Sequence, residues 1–219
     1  MQLQWTSGEP LAWPRGKVVC VGRNYAEHAK ELGNAVPEQP LLFMKPATAL
    51  VPVAEAFDLD ESRGEVHYEC ELAVLIGKPL TAAGQAQAQD AIAGFGLALD
   101  LTLRGLQSEL KEKGHPWELA KAFDGSCPIS DLVPAGELGQ GLGAIRFQLY
   151  QNGALRQDGN SAEMITPIAA LLAHISQVFT LEPGDLVLTG TPKGVGKLAK
   201  GDQLRLVLAD CLDVSSTVR

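Results

Sequence analysis

Residues 66–76 read VHYECELAVLI, and this segment restricts the possible folds more than any other. Side chains two apart on a strand share a face, so Glu69 and Glu71 project together, with His67 on the same side and Cys70 and Leu72 on the other. Residues 73–76 are uniformly apolar, which makes this a buried strand rather than a solvated one. Taken alone, Glu-x-Glu reads more simply as solvent-facing alternation on an edge strand. The apolar continuation argues against that. Two carboxylates entering a buried strand repel one another unless a cation sits between them or one is protonated. Oxygen ligands of this kind suit Mg²⁺, Mn²⁺ or Ca²⁺ better than zinc.

A second interruption of an apolar run points the same way. In residues 97–101, LALDL, Asp100 ends what reads as a buried strand over 94–101. An unpaired charge there costs several kcal/mol, roughly, unless it is paired or ligated. Asp100 is either a third oxygen ligand beside Glu69 and Glu71, or a carboxylate bonded to Arg104 or to a helix N-terminus. His28 and Glu31 lie three apart in a stretch of helical character over 24–32, where they are neighbours on one face. A carboxylate beside imidazole raises its basicity and fixes its tautomer, as a general base requires. An exposed helix with incidental charges fits the same spacing. Lys121, among the apolar residues of WELAKAF, is either a surface lysine or an amine that meets a substrate carboxylate. The loop TGTPKGVG at 189–196 lacks the first Gly and the final Ser/Thr of a phosphate loop, which excludes a nucleotide site. A backbone-rich cup for a small anion stays open.

The remaining segments predict a β-rich α+β domain with strands that do not alternate regularly with helices. Strands are expected at 17–22, 145–152, 186–188 and 204–208. Helices are expected at 81–92 and 103–113, with Gly33 as the C-cap of the first helix. Residues 37–46 are extended and Pro-punctuated, with 41–44 buried. Asn152-Gly153 marks a hairpin turn, and Asn160 with Glu163 resembles a capping box. Met164, Ile168, Leu171, Leu172, Ile175 and Phe179 mark one apolar helical face.

Composition narrows the function classes. With 18 Lys and Arg against 26 Asp and Glu, the formal net charge is −8, and the basic residues are scattered, which disfavours nucleic-acid binding. No apolar stretch is long enough to span a bilayer, and the N-terminus lacks the features of a signal peptide. Four widely spaced cysteines are expected as buried free thiols in a cytoplasmic protein.

Together and in this order, VGRNYAEHAKELG, PLLFMKPATAL, HYECELAVLIGK, ALDLTLRGLQ, PWELAKAFDGSCP, QNGALRQDGNSAEMI and LVLTGTPKGVG resemble the fumarylacetoacetate hydrolase family over nearly the whole chain. The similarity is strongest to its short single-domain branch of acylpyruvases, fumarylpyruvate hydrolases and oxaloacetate-processing members. The resemblance implies a mixed β-roll with a small N-terminal lid helix, assembled as a homodimer. Residues 1–219 would form a single catalytic domain, with about 1–50 supplying the first strand and lid helix and about 51–219 the metal-binding β-roll. It implies Mg²⁺ or Mn²⁺ held by Glu69, Glu71 and Asp100, and catalysis by His28, Glu31 and Lys121. Arg23, Lys45, Gln107 and Thr191 match positions that line the substrate pocket. The activity expected first is hydrolysis of the C–C bond of a small acylpyruvate, such as acetylpyruvate or fumarylpyruvate, through a pyruvate enolate. The alternative is an oxaloacetate tautomerase or decarboxylase using the same enolate chemistry. A third possibility is a non-catalytic binder of 2-oxo acids, against which the candidate base and lysine argue.

Overall fold

The computed structural model describes residues 2–33, 35–54 and 56–219. The chain opens with β1 (Val18–Gly22), α1 (Ala26–Glu31), β2 (Leu41–Lys45), β3 (Leu50–Pro52), β4 (Val66–Tyr68) and β5 (Cys70–Ile76). Next come α2 (Gln85–Asp90), β6 (Ile92–Leu99), β7 (Thr102–Leu103), α3 (Arg104–Glu112) and α4 (Glu118–Lys121). They are followed by β8 (Cys127–Ile129), β9 (Val133–Pro134), the hairpin β10 (Arg146–Gln151) and β11 (Ala154–Asn160), and α5 (Ile168–Ser176). The chain closes with β12 (Leu186–Leu188), β13 (Gly196–Lys197), β14 (Gln203–Leu208) and β15 (Leu212–Thr217).

This is the β-rich α+β architecture expected, built on a mixed sheet. Its strands run in the spatial order β2-β1-β12-β5-β6-β8-β3, with β9 also paired to β6. The pairs β1–β12 and β3–β8 are parallel and the others antiparallel. Both faces are covered, which explains why β5 carries no polar alternation after Glu71. Leu72, Val74 and Ile76 face one apolar cluster with Phe95, Leu97 and Leu99. Ala73 and Leu75 face a second cluster with Val18, Cys20 and Leu188. A four-stranded sheet, β11-β10-β14-β15, and a small one, β13-β4-β7, complete the scaffold.

Several local expectations shift. Residues 41–44 form β2 but are only half-buried, because β2 is an edge strand; the fully buried residue of β2 is Lys45. Asn160 accepts a hydrogen bond from the Ala162 N–H at 2.9 Å and so caps a 3₁₀ turn, not the long helix. That helix, α5, starts at Ile168 behind Pro167, whose fixed φ suits a helix start. Its residues Ile168, Leu171, Leu172 and Ile175 are buried as the periodicity predicts. Asn152 and Gly153 both adopt positive φ, 54° and 79°, in the β10–β11 turn. Cys20, Cys70 and Cys127 are buried free thiols, and Cys211 is partly exposed. Among the described residues no helix is long and apolar enough to cross a membrane.

Candidate metal centre and active site

The three acidic residues converge because β5 and β6 are neighbours in the sheet. Cys70 pairs with Leu99, and the Asp100 N–H donates to the Glu69 carbonyl at 2.8 Å. Glu69 precedes β5, Glu71 lies within it and Asp100 follows β6, so Asp100, distant in sequence, joins the two glutamates at one end of the β5–β6 ladder. One carboxylate oxygen from each lies within 4.8 Å of the others, and all three residues are buried.

Charge is balanced unevenly among them. Lys121 Nζ donates to Glu69 Oε2 at 2.8 Å and to Asp100 Oδ2 at 2.5 Å. Arg104 is paired to the other oxygen of Glu69. Burial disfavours the Glu69 carboxylate, but Lys121 and Arg104 together hold its pKa below the ordinary range. Asp100 Oδ1 faces Lys45 Nζ at 2.8 Å, an ion pair rather than an aligned hydrogen bond. Glu71 has no such help: its Oε2 accepts the Gly190 N–H at 2.7 Å, and among the described residues no ammonium or guanidinium lies within ion-pair distance. Burial, and then the Asp100 and Glu69 charges, push its pKa well up. A buried carboxylate facing two others, with all-oxygen donors, fits a hard divalent cation.

The second chemical group comes from α1. His28 is buried, and its Nδ1 lies 3.4 Å from Glu31 Oε2. Glu31 is held in turn by the Gly194 N–H, at 3.1 and 3.2 Å from its two oxygens. Burial lowers the His28 pKa, against opposing pulls from Glu69 and Glu31, so at neutral pH the imidazole is uncharged and has a lone pair able to accept a proton. A proton donated from Nδ1 to Glu31 leaves Nε2 as the basic atom.

One loop therefore orients both groups: Gly190 holds Glu71 and Gly194 holds Glu31. Both glycines adopt positive φ, 94° and 96°. A Cβ at Gly190 would meet Asn24 Cβ at 2.8 Å, and one at Gly194 would collide with the Arg156 carbonyl. Thr191, between them, donates to the Cys70 carbonyl at 2.9 Å and accepts from Gln157 at 2.8 Å.

Most of the residues expected at the site share one cleft. Its wall includes His28, Glu69, Glu71, Asp100 and Lys121, with Arg23, Gln107 and Thr191. Glu31 stands behind His28 and is not on the wall. Lys45 is not on the wall either. Its ammonium is enclosed by the carbonyls of Leu101, Lys121 and Ser126, so it serves as a fixed counter-charge under Asp100. His67 does not join Glu69 and Glu71 on the cleft wall, because the strand is interrupted at Glu69 and β4 pairs in a separate sheet; its Nε2 contacts Glu65 at 2.7 Å. Sequence reasoning missed Phe43 and Trp117, whose rings pack 6.0 Å apart on the cleft wall, with Lys121 Nζ 5.2 Å from the Phe43 centroid. It weighed Arg104 only as a partner for Asp100, whereas Arg104 pairs with Glu69 and donates to Gln107 at 2.7 Å. The arginine three positions before Gln107 on one helix was the available signal.

Residues 17–219 match the family described as fumarylacetoacetate (FAA) hydrolase C-terminal. The chain is similar to the oxaloacetate tautomerase YcgM of Escherichia coli K12, at 52% identity over 197 residues and 90% of each chain. It is 44% identical to the mitochondrial oxaloacetate tautomerase FAHD1 of Bos taurus over 202 residues, 91% of each chain. Among solved structures, fumarylpyruvate hydrolase from Pseudomonas aeruginosa in complex with Mn²⁺ and pyruvate superposes with a TM-score of 0.92 at 37% identity, over 100% of this chain and 95% of that one.

Proposed function

Because the chain belongs to the fumarylacetoacetate hydrolase family, we propose that it is a divalent-metal-dependent oxaloacetate tautomerase, interconverting the keto and enol forms of a small 2-oxo dicarboxylate. The observation that carries this is a cleft in which three buried carboxylates fit for a cation stand beside a neutral histidine backed by a glutamate. The sequence favoured C–C hydrolysis because the His28–Glu31 pair is intact. That pair serves proton transfer equally well, and the relatives with the higher identity are named for tautomerisation.

Tautomerisation moves one proton between C3 and the C2 oxygen and breaks no C–C bond. A cation held by Glu69, Glu71 and Asp100 would supply the Lewis-acid charge that stabilises an enolate. His28 takes the proton from C3 and returns it to the C2 oxygen, or the reverse, and Glu31 keeps its ring oriented and stabilises the transient imidazolium. Lys121 adds positive charge beside the carboxylates, and Phe43 and Trp117 keep one wall dry, which strengthens each of these interactions. Arg104 and Lys121 fix Glu69, so the carboxylates are organised before substrate arrives.

C–C hydrolysis of an acylpyruvate is the second reading, supported by the likeness to the Pseudomonas enzyme. The two separate in one assay. With Mg²⁺ or Mn²⁺ added, the enol of oxaloacetate is followed by its ultraviolet absorbance beside acetylpyruvate and fumarylpyruvate. Rapid loss of the enol signal, abolished by chelation and by His28→Ala with metal binding retained, is the expected result. Cleavage of either acylpyruvate while the enol decays at its uncatalysed rate would replace tautomerisation with hydrolysis.

A further inference from the structure

Helix α3 places Arg104, Gln107 and Lys111 at spacings of three and four, so one helical face lines the cleft from the carboxylates outward. Helical side chains tilt toward the N-terminus, so Lys111 reaches back toward Arg104. Arg23, in the turn between β1 and α1, lines the same cleft. Its φ is +61°, a left-handed conformation that is strained for a non-glycine residue. The surroundings hold that strain in place. The next residue, Asn24, is buried and hydrogen-bonds the Thr166 carbonyl, the Thr166 N–H and the Thr189 carbonyl at 3.1, 2.8 and 2.9 Å. A turn held by Asn24 therefore carries an arginine that lines the cleft and donates from Nη1 to the Ala35 carbonyl at 3.4 Å. Arg104, Lys45 and Lys121 pair with Glu69 and Asp100, and Arg23 and Lys111 are further cations that line the same cleft.

We infer that Arg23 and Lys111 form a receiver for the substrate carboxylate remote from the reacting 2-oxo acid end, and so select dicarboxylic over monocarboxylic 2-oxo acids. The inference rests on the proposed function and names the residues that would read its second carboxylate. Burial, and then the Arg23 and Arg104 charges, lower the Lys111 pKa, as expected of cations converging on a place an anion fills. A charge-assisted hydrogen bond to a carboxylate contributes roughly 1.5–3 kcal/mol, so loss of either residue weakens the dicarboxylate by about tenfold or more.

Binding tests this without turnover. Metal-loaded wild type, Lys111→Gln and Arg23→Gln are titrated calorimetrically with pyruvate and with 3,3-difluoro-oxaloacetate, which carries the second carboxylate and cannot enolise at C3. Wild type is expected to prefer the dicarboxylate, and each variant to lose about tenfold of that preference while pyruvate affinity stays within about twofold. Lys111 is exposed on α3, so its variant folds whether or not Arg23→Gln does. Equal weakening of both ligands, or no change in either, would overturn the receiver. If wild type does not tautomerise oxaloacetate but the selective loss is seen, the receiver stands and the proposed activity falls. If tautomerisation is intact and the preference does not depend on these residues, the reverse holds.

Discussion

At the scale of single residues, the carboxylates differ in what balances them, and this sets opposite outcomes for similar substitutions. Glu71 has a raised pKa in the metal-free fold, so it contributes stability below its unfolded value near 4.5 that is lost as pH rises through the folded value. In chelator-treated protein this opposes folding by up to about 1.4 kcal/mol per pH unit. Glu71→Gln removes the titration, so its unfolding free energy relative to wild type should improve as pH rises from 5 to 8, and Mg²⁺ should stabilise wild type but not the variant. His28 contributes with the opposite sign, since its lowered pKa makes stability rise with pH through the imidazole range, but it is common to both proteins and cancels in the difference. Asp100→Asn behaves differently. It leaves Lys45 and Lys121 buried without their shared partner and should cost about 3–5 kcal/mol in denaturant unfolding, with or without metal. Equal effects of the two substitutions would show that the charge balance described above is wrong. Glu69, Glu71 and Asp100 were legible in the sequence because charge inside apolar runs is costly. The burial of Lys45 was not, since a lysine after four apolar residues reads equally well as a strand end.

At the scale of elements, the 189–194 loop joins the metal centre to the His28–Glu31 pair through two backbone N–H groups. Gly190→Ala places a methyl against Asn24 at a positive φ, and should destabilise the protein by about 1–3 kcal/mol. It should also weaken Mg²⁺ binding by shifting the N–H that Glu71 accepts, which calorimetry reads directly. Unchanged metal affinity in a folded variant would remove the loop's orienting role. The sequence offered this loop as a cup for a small anion. The anions it meets are the protein's own carboxylates, and that pairing is invisible until β12 is known to lie between β1 and β5. Helices α3 and α5 were legible through 3.6-residue periodicity and the β10–β11 hairpin through Asn-Gly. By contrast, β11, with mostly exposed side chains, and the two-residue strands β7, β9 and β13 leave no periodic signal. Their pairing is set by tertiary contacts rather than by local preference.

At the scale of the whole molecule, an acidic chain of net charge −8 surrounds a cleft whose cations outnumber its carboxylates, counting Lys45 beneath it. The outer field repels the proposed dianionic substrate and the inner one attracts it. Salt screens exposed charges over about 10 Å at 0.1 M but reaches buried pairs weakly. Raising ionic strength from 0.05 to 0.5 M should therefore change KM for oxaloacetate by less than about threefold, and leave kcat unaltered. A rise in KM steeper than loss of the exposed Lys111 contact produces would mean that capture depends on further exposed cations. The fold class was legible because strands outnumber helices, whereas the strand order was not, because parallel pairs such as β1–β12 join residues far apart in sequence.

The ladder that sets Asp100 opposite Glu69 spaces the acidic groups through backbone pairing, while Leu80, Ala83 and Ala88 between these strands pack into the core and the turn at 78–79 is exposed. Residues 77–91 leave the sheet at Ile76 and rejoin it at Ile92, so the register of Cys70 with Leu99 is fixed without them. Natural drift or deliberate engineering can lengthen the exposed turn at Lys78–Pro79, or graft a reporter there, while the spacing of the acidic groups stays as the hydrogen-bonded backbone dictates.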